Sequence, residues 1–365
     1  MKKFLFPALT MAMAFVATSC SSDEPGVAPE GNFTPTENQT ITLKVTSPDG
    51  GIRSRGQDAN GWYGDGVDAE ELQYCIYERT TDGTTKIIAS SDNATDPVPV
   101  KVDADNNSWN LSVSIPSGIK WDIYFFADYW GKGTTGNNTK VEWAQSRLHY
   151  YGNCSQGDMA DAFFGTKSSE SYATDIEDGD EPTVGLRRPF MQVNVLSNEL
   201  DNKTLAAAFP QGIDVTMQFG NGSVVGIPEY YYFKEDRLTF KKNTLDSGAH
   251  PMLDTQYKKV TYNGKQYDLL FMGYYLAPKK TTNATDWSTA PSRLLFNFYK
   301  GGTTTLSNSI TVPFTSLGTN PYTQNTRVII YTDATAGGGF ISDNATFRVD
   351  VTPSWGANGG NYKYE

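Results

Sequence analysis

Histidine is almost missing: His149 and His250 are the only two in 365 residues. Neither is paired with a second histidine or a cysteine at a helical or CxxC spacing, so a transition-metal centre has no ligand set to draw on. His149 stands beside tyrosines in a loop-like stretch, and His250 falls in the turn "GAHP"; both read as structural or solvated. There is no G-x-S-x-G, no P-loop and no glycine fingerprint for a dinucleotide. No two of the 41 acidic residues are marked out as an acid/base couple. The acidic clusters "DADNN" (Asp103 to Asn107) and "DIEDGDEP" (Asp175 to Pro182) fare no better as calcium sites. Counted from Asp103, the glycine and glutamate positions of an EF-hand loop fall on Ser108 and Ser114. The expectation is no enzyme, no metal and no cofactor.

Cysteine is scarce too, with Cys20, Cys75 and Cys154. Cys75 lies in the strand-like "LQYCIYE" and Cys154 in the loop-like "YGNCSQGD". An exported protein permits a disulfide between them. Two unpaired thiols are equally compatible with the sequence, because separation along the chain does not reveal a Cα distance. Long apolar runs are absent except at the start, where "FLFPALTMAMAFVA" follows Lys2 and Lys3 and is too short to span a bilayer comfortably. Long Leu- and Ala-rich helical stretches, heptads and internal repeats are also missing. Positive charge is in deficit: the net charge is −11, and the first 55 residues hold five basic and five acidic side chains, so their loss leaves it unchanged. That argues against nucleic acid and anionic membrane surfaces as partners of the body of the protein.

What is present begins with the N-terminus. Residues 1–19 have the charged, apolar and small-residue regions of a signal peptide. The small residues "ATS" before Cys20 resemble a bacterial lipobox, whose chemistry needs the Cys20 thiol to carry diacylglycerol. Asp23 and Glu24 just beyond resemble a surface-export signal of lipoproteins in some Gram-negative anaerobes. A lipid anchor on the precursor is then its only contact with a membrane. Residues 20–39 are polar and proline-containing and read as a flexible tether.

The remainder alternates short apolar-patterned strands with turn signals. Aromatic residues make up 13 % and Gly, Thr, Ser and Asn are frequent, the composition of an exported all-β protein. Length and patterning predict two antiparallel β-sandwich domains in tandem, over 40–186 and 187–365, with few short helices. In the first strand Ile41, Leu43 and Val45 alternate with Thr42, Lys44 and Thr46, and it reads as an edge strand. "GGIRSRGQ" follows, placing Arg53 and Arg55 in a glycine-bracketed loop. It is either a solvated turn or a site for a trypsin-like protease. "KWDIYFFADYW" is apolar enough for burial on both faces. Residues 131–185 read as a long polar loop with a short helix near "DMADAFFG", and "DNKTLAAAF" as another short helix. The block Tyr230 to Phe233 is either a strand with aromatics on both faces or a platform for stacking sugars. Trp130, Trp143 and Trp287 are further stacking candidates.

The cysteine with acidic residues after it, the early strand followed by arginine, the restart "LRRPFMQVNV" and the late "SITVPFTSLGTNPYTQNTRVIIYTD" together resemble the fimbrillin family, the type V pilins of Gram-negative anaerobes. The segment "NPYTQNTRV" carries extra residues against the family's tighter motif. The resemblance implies a transthyretin-like, Greek-key pair of sandwiches and a lipoprotein precursor exported through the periplasm to the outer-membrane surface. It implies cutting after Arg53 or Arg55, loss of the first strand (Ile41, Leu43, Val45) and polymerisation by donor-strand exchange, with an adhesive role. The partners are then other fimbrial subunits, the processing protease and an unspecified host or bacterial surface ligand. Candidate donor residues are Phe347, Val349, Val351, Trp355, Tyr362 and Tyr364, divided between a strand that is either donor or core and the tail beyond it. The alternative function is a glycan-binding surface lipoprotein that does not polymerise.

Overall fold

The computed structural model describes residues 37–46, 69, 71–82, 85–103, 108–128, 139–151, 161–174, 176, 181–197, 213–244, 259–279, 291–314, 322–332 and 349–352. In chain order the strands are β1 (Asn38–Thr46), β2 (Glu71–Arg79), β3 (Thr85–Ser90), β4 (Val100–Asp103), β5 (Ser108–Pro116), β6 (Trp121–Asp128), β7 (Thr139–Glu142), β8 (Arg147–Tyr150), β9 (Ala162–Ser168) and β10 (Thr183–Gly185). They continue as β11 (Phe190–Ser197), β12 (Ile213–Asn221), β13 (Val224–Tyr232), β14 (Arg237–Lys242), β15 (Lys259–Tyr262), β16 (Lys265–Leu276), β17 (Arg293–Lys300), β18 (Leu306–Pro313), β19 (Thr326–Thr332) and β20 (Val349–Thr352). Helix is confined to one 3₁₀ turn, Trp143–Gln145, and to α1, Ser169–Thr174, among the described residues. The protein is all-β.

Period-two patterning builds most of these elements. In β12, Ile213, Val215, Met217 and Phe219 are buried while the residues between them are half-exposed. Between β15 and β16 the two-residue Asn263-Gly264 loop has both residues at positive φ, the backbone that matches the twist of a tight hairpin.

Four sheets result. The first runs β10-β1-β5-β4 and the second β3-β2-β6-β9. The third runs β15-β16-β11-β19-β20, and the fourth β18-β17-β12-β13-β8-β7 with β14 also on β13. Most pairings are antiparallel, but β1–β10 and β11–β19 are parallel. The first two sheets enclose one core, in which Leu72, Tyr74 and Ile76 of β2 meet Trp109, Leu111 and Val113 of β5. The opposite face of the second sheet, with Cys75, Tyr77, Tyr124, Phe126 and Phe164, belongs to the other core, which fills the third and fourth sheets. Strand β6 is thus buried on both faces, as its sequence predicts.

The region 131–185 departs from the loop expected of it. It contains β7 to β10, and Ala162 to Gly165 of "DMADAFFG" are extended in β9, not helical. The cause is tertiary: β9 pairs with β6 along its whole length, and Phe163 and Phe164 are buried in different cores, an arrangement that a strand provides and a helix does not. The β7–β8 hairpin precedes residue 186 in the chain yet pairs with β13 of the fourth sheet. "DNKTLAAAF" lies outside the described residues.

Candidate functional site

The N-terminal strand occupies a groove with two walls. Against β5 it forms an antiparallel ladder over all nine residues, from Asn38↔Pro116 to Thr46↔Ser108. Against β10 it forms a parallel ladder over three, from Lys44↔Thr183 to Thr46↔Gly185. That second ladder is closed by the Lys44 N–H donating to the Pro182 carbonyl at 3.1 Å and the Leu186 N–H donating to the Thr46 carbonyl at 2.8 Å. So β1 is not the simple edge strand its sequence suggests; only Asn38 to Leu43 have a single strand neighbour among the described residues. Nothing in the three residues "TVG" announces β10, which the long-range pairing alone creates. Ile41, Leu43 and Val45 are 2 %, 0 % and 0 % exposed, and they point into the first core. Thr42 on the outer face shares a hydrogen bond of 3.2 Å with Ser112.

Residues 47–68, with Arg53 and Arg55, lie outside the described residues. So do Cys20, Cys154, Phe347, Trp355, Tyr362, Tyr364, Trp130, Trp287 and His250. Val349 and Val351 fall in β20, whose one strand neighbour among the described residues is β19, over four residue pairs.

After β10 the chain passes directly into the junction between the cores. Arg187 and Phe164 exchange backbone hydrogen bonds of 2.7 and 2.9 Å. Leu186 packs where a Cβ on Gly165 would stand 2.7 Å from its Cδ2, which explains the glycine. Arg188 is fully buried; its Nε donates at 2.9 Å to both carboxylate oxygens of Asp161, and its guanidinium lies 5.0 Å from the Phe163 ring. The Asn325 N–H donates to the Phe190 carbonyl at 2.8 Å, and the buried Tyr322 hydroxyl donates to the Leu276 carbonyl at 2.9 Å. Two segments far apart in sequence, "LRRPF" and "NPYTQNTRV", thus meet at one place, and β11 and β19 leave it side by side.

The second sheet is capped at the same junction by the turn after β13. Phe233 sits 4.7 Å from Tyr124 and 5.1 Å from Phe164, ring to ring. Lys234 Nζ lies 3.3 Å from the Tyr77 ring centre and donates to Thr85 Oγ1 at 2.9 Å. Burial lowers its ammonium to about 8, against the pull of Cys75 and Asp122. Cys75 beneath it is a free, buried thiol, and burial pushes it up to about 12.

The aromatic block of β13 is an alternating strand. Tyr231 and Phe233 are buried, and Tyr230 and Tyr232 stand on the other face. There they join a ladder of stacked groups. Tyr151 lies 4.0 Å from His149, His149 4.4 Å from Tyr230, Arg147 3.8 Å from Tyr230, and Arg237 4.1 Å from Tyr232. Glu142 accepts from Arg147 at 2.6 Å and pairs with His149 Nδ1 at 2.9 Å. Burial pushes its carboxyl up, but the hydrogen bonds from Arg147 and His149 outweigh that and hold it below its ordinary value. The half-buried Tyr230 ring packs against both His149 and Arg147. Trp143 is 2 % exposed and its ring is likewise committed. Sequence reasoning had no signal for this ladder, since it joins β8 to β13. Among the described residues no three His, Cys, Asp or Glu side chains are grouped to hold a metal ion.

No family model matches the sequence, and no curated protein does. Solved structures that align with this chain include a fimbrial assembly protein from Parabacteroides distasonis, at 9 % identity and a TM-score of 0.36, covering 86 % of this chain and 94 % of that one. The fimbrial anchor protein Mfa2 from Porphyromonas gingivalis aligns at 9 % identity and a TM-score of 0.33, over 85 % of this chain and 95 % of its own. A candidate adhesin from Bacteroides thetaiotaomicron aligns at 10 % identity and a TM-score of 0.39, over 87 % and 97 %. These are proteins this chain is similar to, and they carry fimbrial and adhesive names.

Proposed function

We propose that the protein is a structural, adhesive subunit of a surface fimbria. It reaches the outer membrane as a lipoprotein acylated on Cys20 and matures by cleavage after Arg53 or Arg55. Strand β1 is then exchanged for a strand of another subunit. The observation that carries this reading is the position of β1. It is the first strand among the described residues, and it supplies three apolar side chains to a core made otherwise of later residues. Full burial of such side chains is worth about 1.5–3 kcal/mol each, so the vacated groove strongly favours refilling. An open β5 ladder beside an apolar slot is the requirement for β-strand addition, with the backbone giving affinity and alternate side chains giving register. Val349 and Val351, in the short strand β20, are candidate donor residues, as are Phe347, Trp355, Tyr362 and Tyr364.

The test is N-terminal sequencing of protein recovered from the cell surface, combined with electrophoresis without heating. A start at Ser54 or Gly56 and ladders of multimers are expected. The Arg53→Gln/Arg55→Gln double variant should abolish both. Surface protein that retains a blocked, acylated Cys20 throughout would overturn the reading.

A further inference from the structure

At the junction of the two cores, two cations stand opposite one another without an ion-pair partner. We propose that Arg187 and Lys279, with the amide of Gln324, form an anion site that takes a single carboxylate group. The site stands apart from strand exchange. It gives a task to residues of "LRRPF" and "NPYTQNTRV" that the groove of β1 does not use.

Backbone register places the pair. Phe190 of β11 is opposite Leu276 of β16, and the Ala277 N–H donates to the Pro189 carbonyl at 3.0 Å. Continued two residues outward, that antiparallel register brings Arg187 opposite Lys279, near enough for the guanidinium to repel the ammonium. Like charges directly opposite one another are destabilising. Arg187 is held there by its two backbone hydrogen bonds to Phe164. Its neighbour Arg188 has Asp161, but neither Arg187 nor Lys279 has an ion-pair partner among the described residues. Both are half-buried. Burial first, and Arg187 second, hold the Lys279 ammonium below its ordinary value, against the pull of Asp236. Asp236 Oδ1 accepts from the Tyr231 hydroxyl at 2.9 Å and from the Lys279 backbone N–H at 2.8 Å. Two cations against this one carboxylate leave one positive charge. Gln324 is the independent sign of a missing ligand. Its N–H donates to the Pro278 carbonyl at 2.9 Å, which fixes it beside Lys279. Its side chain is 6 % exposed, and neither end of the amide has a hydrogen-bond partner among the described residues. A buried amide left so is costly, and a polar ligand would satisfy it. The single surplus charge suits a monoanion, and the planar guanidinium fork matches a carboxylate. An acidic side chain and an acidic sugar both carry that group.

Amine footprinting of the full-length protein reads the site at a single residue. An acetylating ester labels neutral amines, and modification of Lys279 is followed by peptide mass spectrometry at constant ionic strength. N-acetylglutamate and glucuronate are the probes, with chloride and inorganic phosphate as comparators. At a saturating concentration, a carboxylate probe is expected to slow the labelling of Lys279 about tenfold. The exposed Lys241 should be labelled at an unchanged rate. Arg187→Gln should remove the protection. The stronger of the two probes identifies the source of the carboxylate. Protection by phosphate alone would overturn the ligand class, and protection by none of the anions would overturn the site. In chloride, Arg187→Gln and Lys279→Met should each raise the thermal midpoint, because each relieves a repulsion. An unchanged or lower midpoint in either variant would mean that the two cations do not oppose one another, and the proposal would fall with it.

Discussion

Arg188 and Asp161 form a buried ion pair, with Nε 2.9 Å from each carboxylate oxygen and the arginine side chain fully removed from solvent. It ties the start of β11 to the residue just before β9. Breaking such a pair from one side leaves an uncompensated buried charge, which costs about 3–5 kcal/mol, whereas replacing both partners by apolar residues is often close to neutral. Arg188→Ala should therefore lower the denaturation midpoint steeply, and Arg188→Met with Asp161→Leu should recover most of the loss. Chemical denaturation of the three proteins decides it. Equal destabilisation by the single and double changes would mean that the pair is not the coupling element.

The first strand invites a paired comparison. Leu43→Ala removes a fully buried side chain and should cost about 2–5 kcal/mol. Lys44→Ala, on the exposed face of the same strand, should change stability by less than about 0.5 kcal/mol. Similar midpoints for the two variants would contradict the burial pattern of β1.

Lys234 gives the protein a pH dependence with a definite sign. Its folded pKa, about 8, lies below its ordinary value of 10.5, so between those limits the unfolded chain binds the extra proton. Stability contributed at this position therefore rises with pH, beginning near 8. The Cys75 thiol is raised from 9 to about 12, so it acts in the opposite direction only above pH 9. The stability of the protein relative to a Lys234→Met variant should increase between pH 7 and 9, read from urea midpoints. A flat difference would show that the ammonium is not desolvated.

Gly226 in β13 faces Lys242 of β14, and a Cβ there would run into the carbonyl of Lys241, which is backbone and cannot swing aside. Gly226→Ala should cost about 1–3 kcal/mol. Gly185→Ala, where a Cβ meets nothing within 4 Å, is the control and should be mild. Thermal melts of both variants provide the comparison.

Much of this was legible from residue order. The alternation Ile41, Leu43, Val45 and the unbroken apolar run of β6 identified a one-faced and a two-faced strand, because burial imposes its period directly on the side chains. Three things were not legible. "TVG" has no pattern of its own, and β10 exists only because β1 offers it an edge. The ending "DAFFG" carries adjacent phenylalanines that a short helix would also accommodate; only two cores on either side of one sheet select the strand. Arg188, in "LRRPF", gives no sign in the sequence of its buried partner Asp161. Each case turns on a partner more than 20 residues away, beyond the reach of local periodicity.

The β7–β8 hairpin also bears on how the chain comes into being. It is made well before residue 186, yet the strand that receives it, β13, begins at Val224. Until then the outer face of the second sheet, with Tyr77, Tyr124, Phe126 and Phe164, has no Phe233 to cover it. A gene split at residue 186 would thus divide a sheet and strip a core, and its first half should aggregate rather than fold. The early half of the polypeptide must therefore wait for the late half, which makes completion of synthesis, not closure of the first core, the point at which that apolar face is covered.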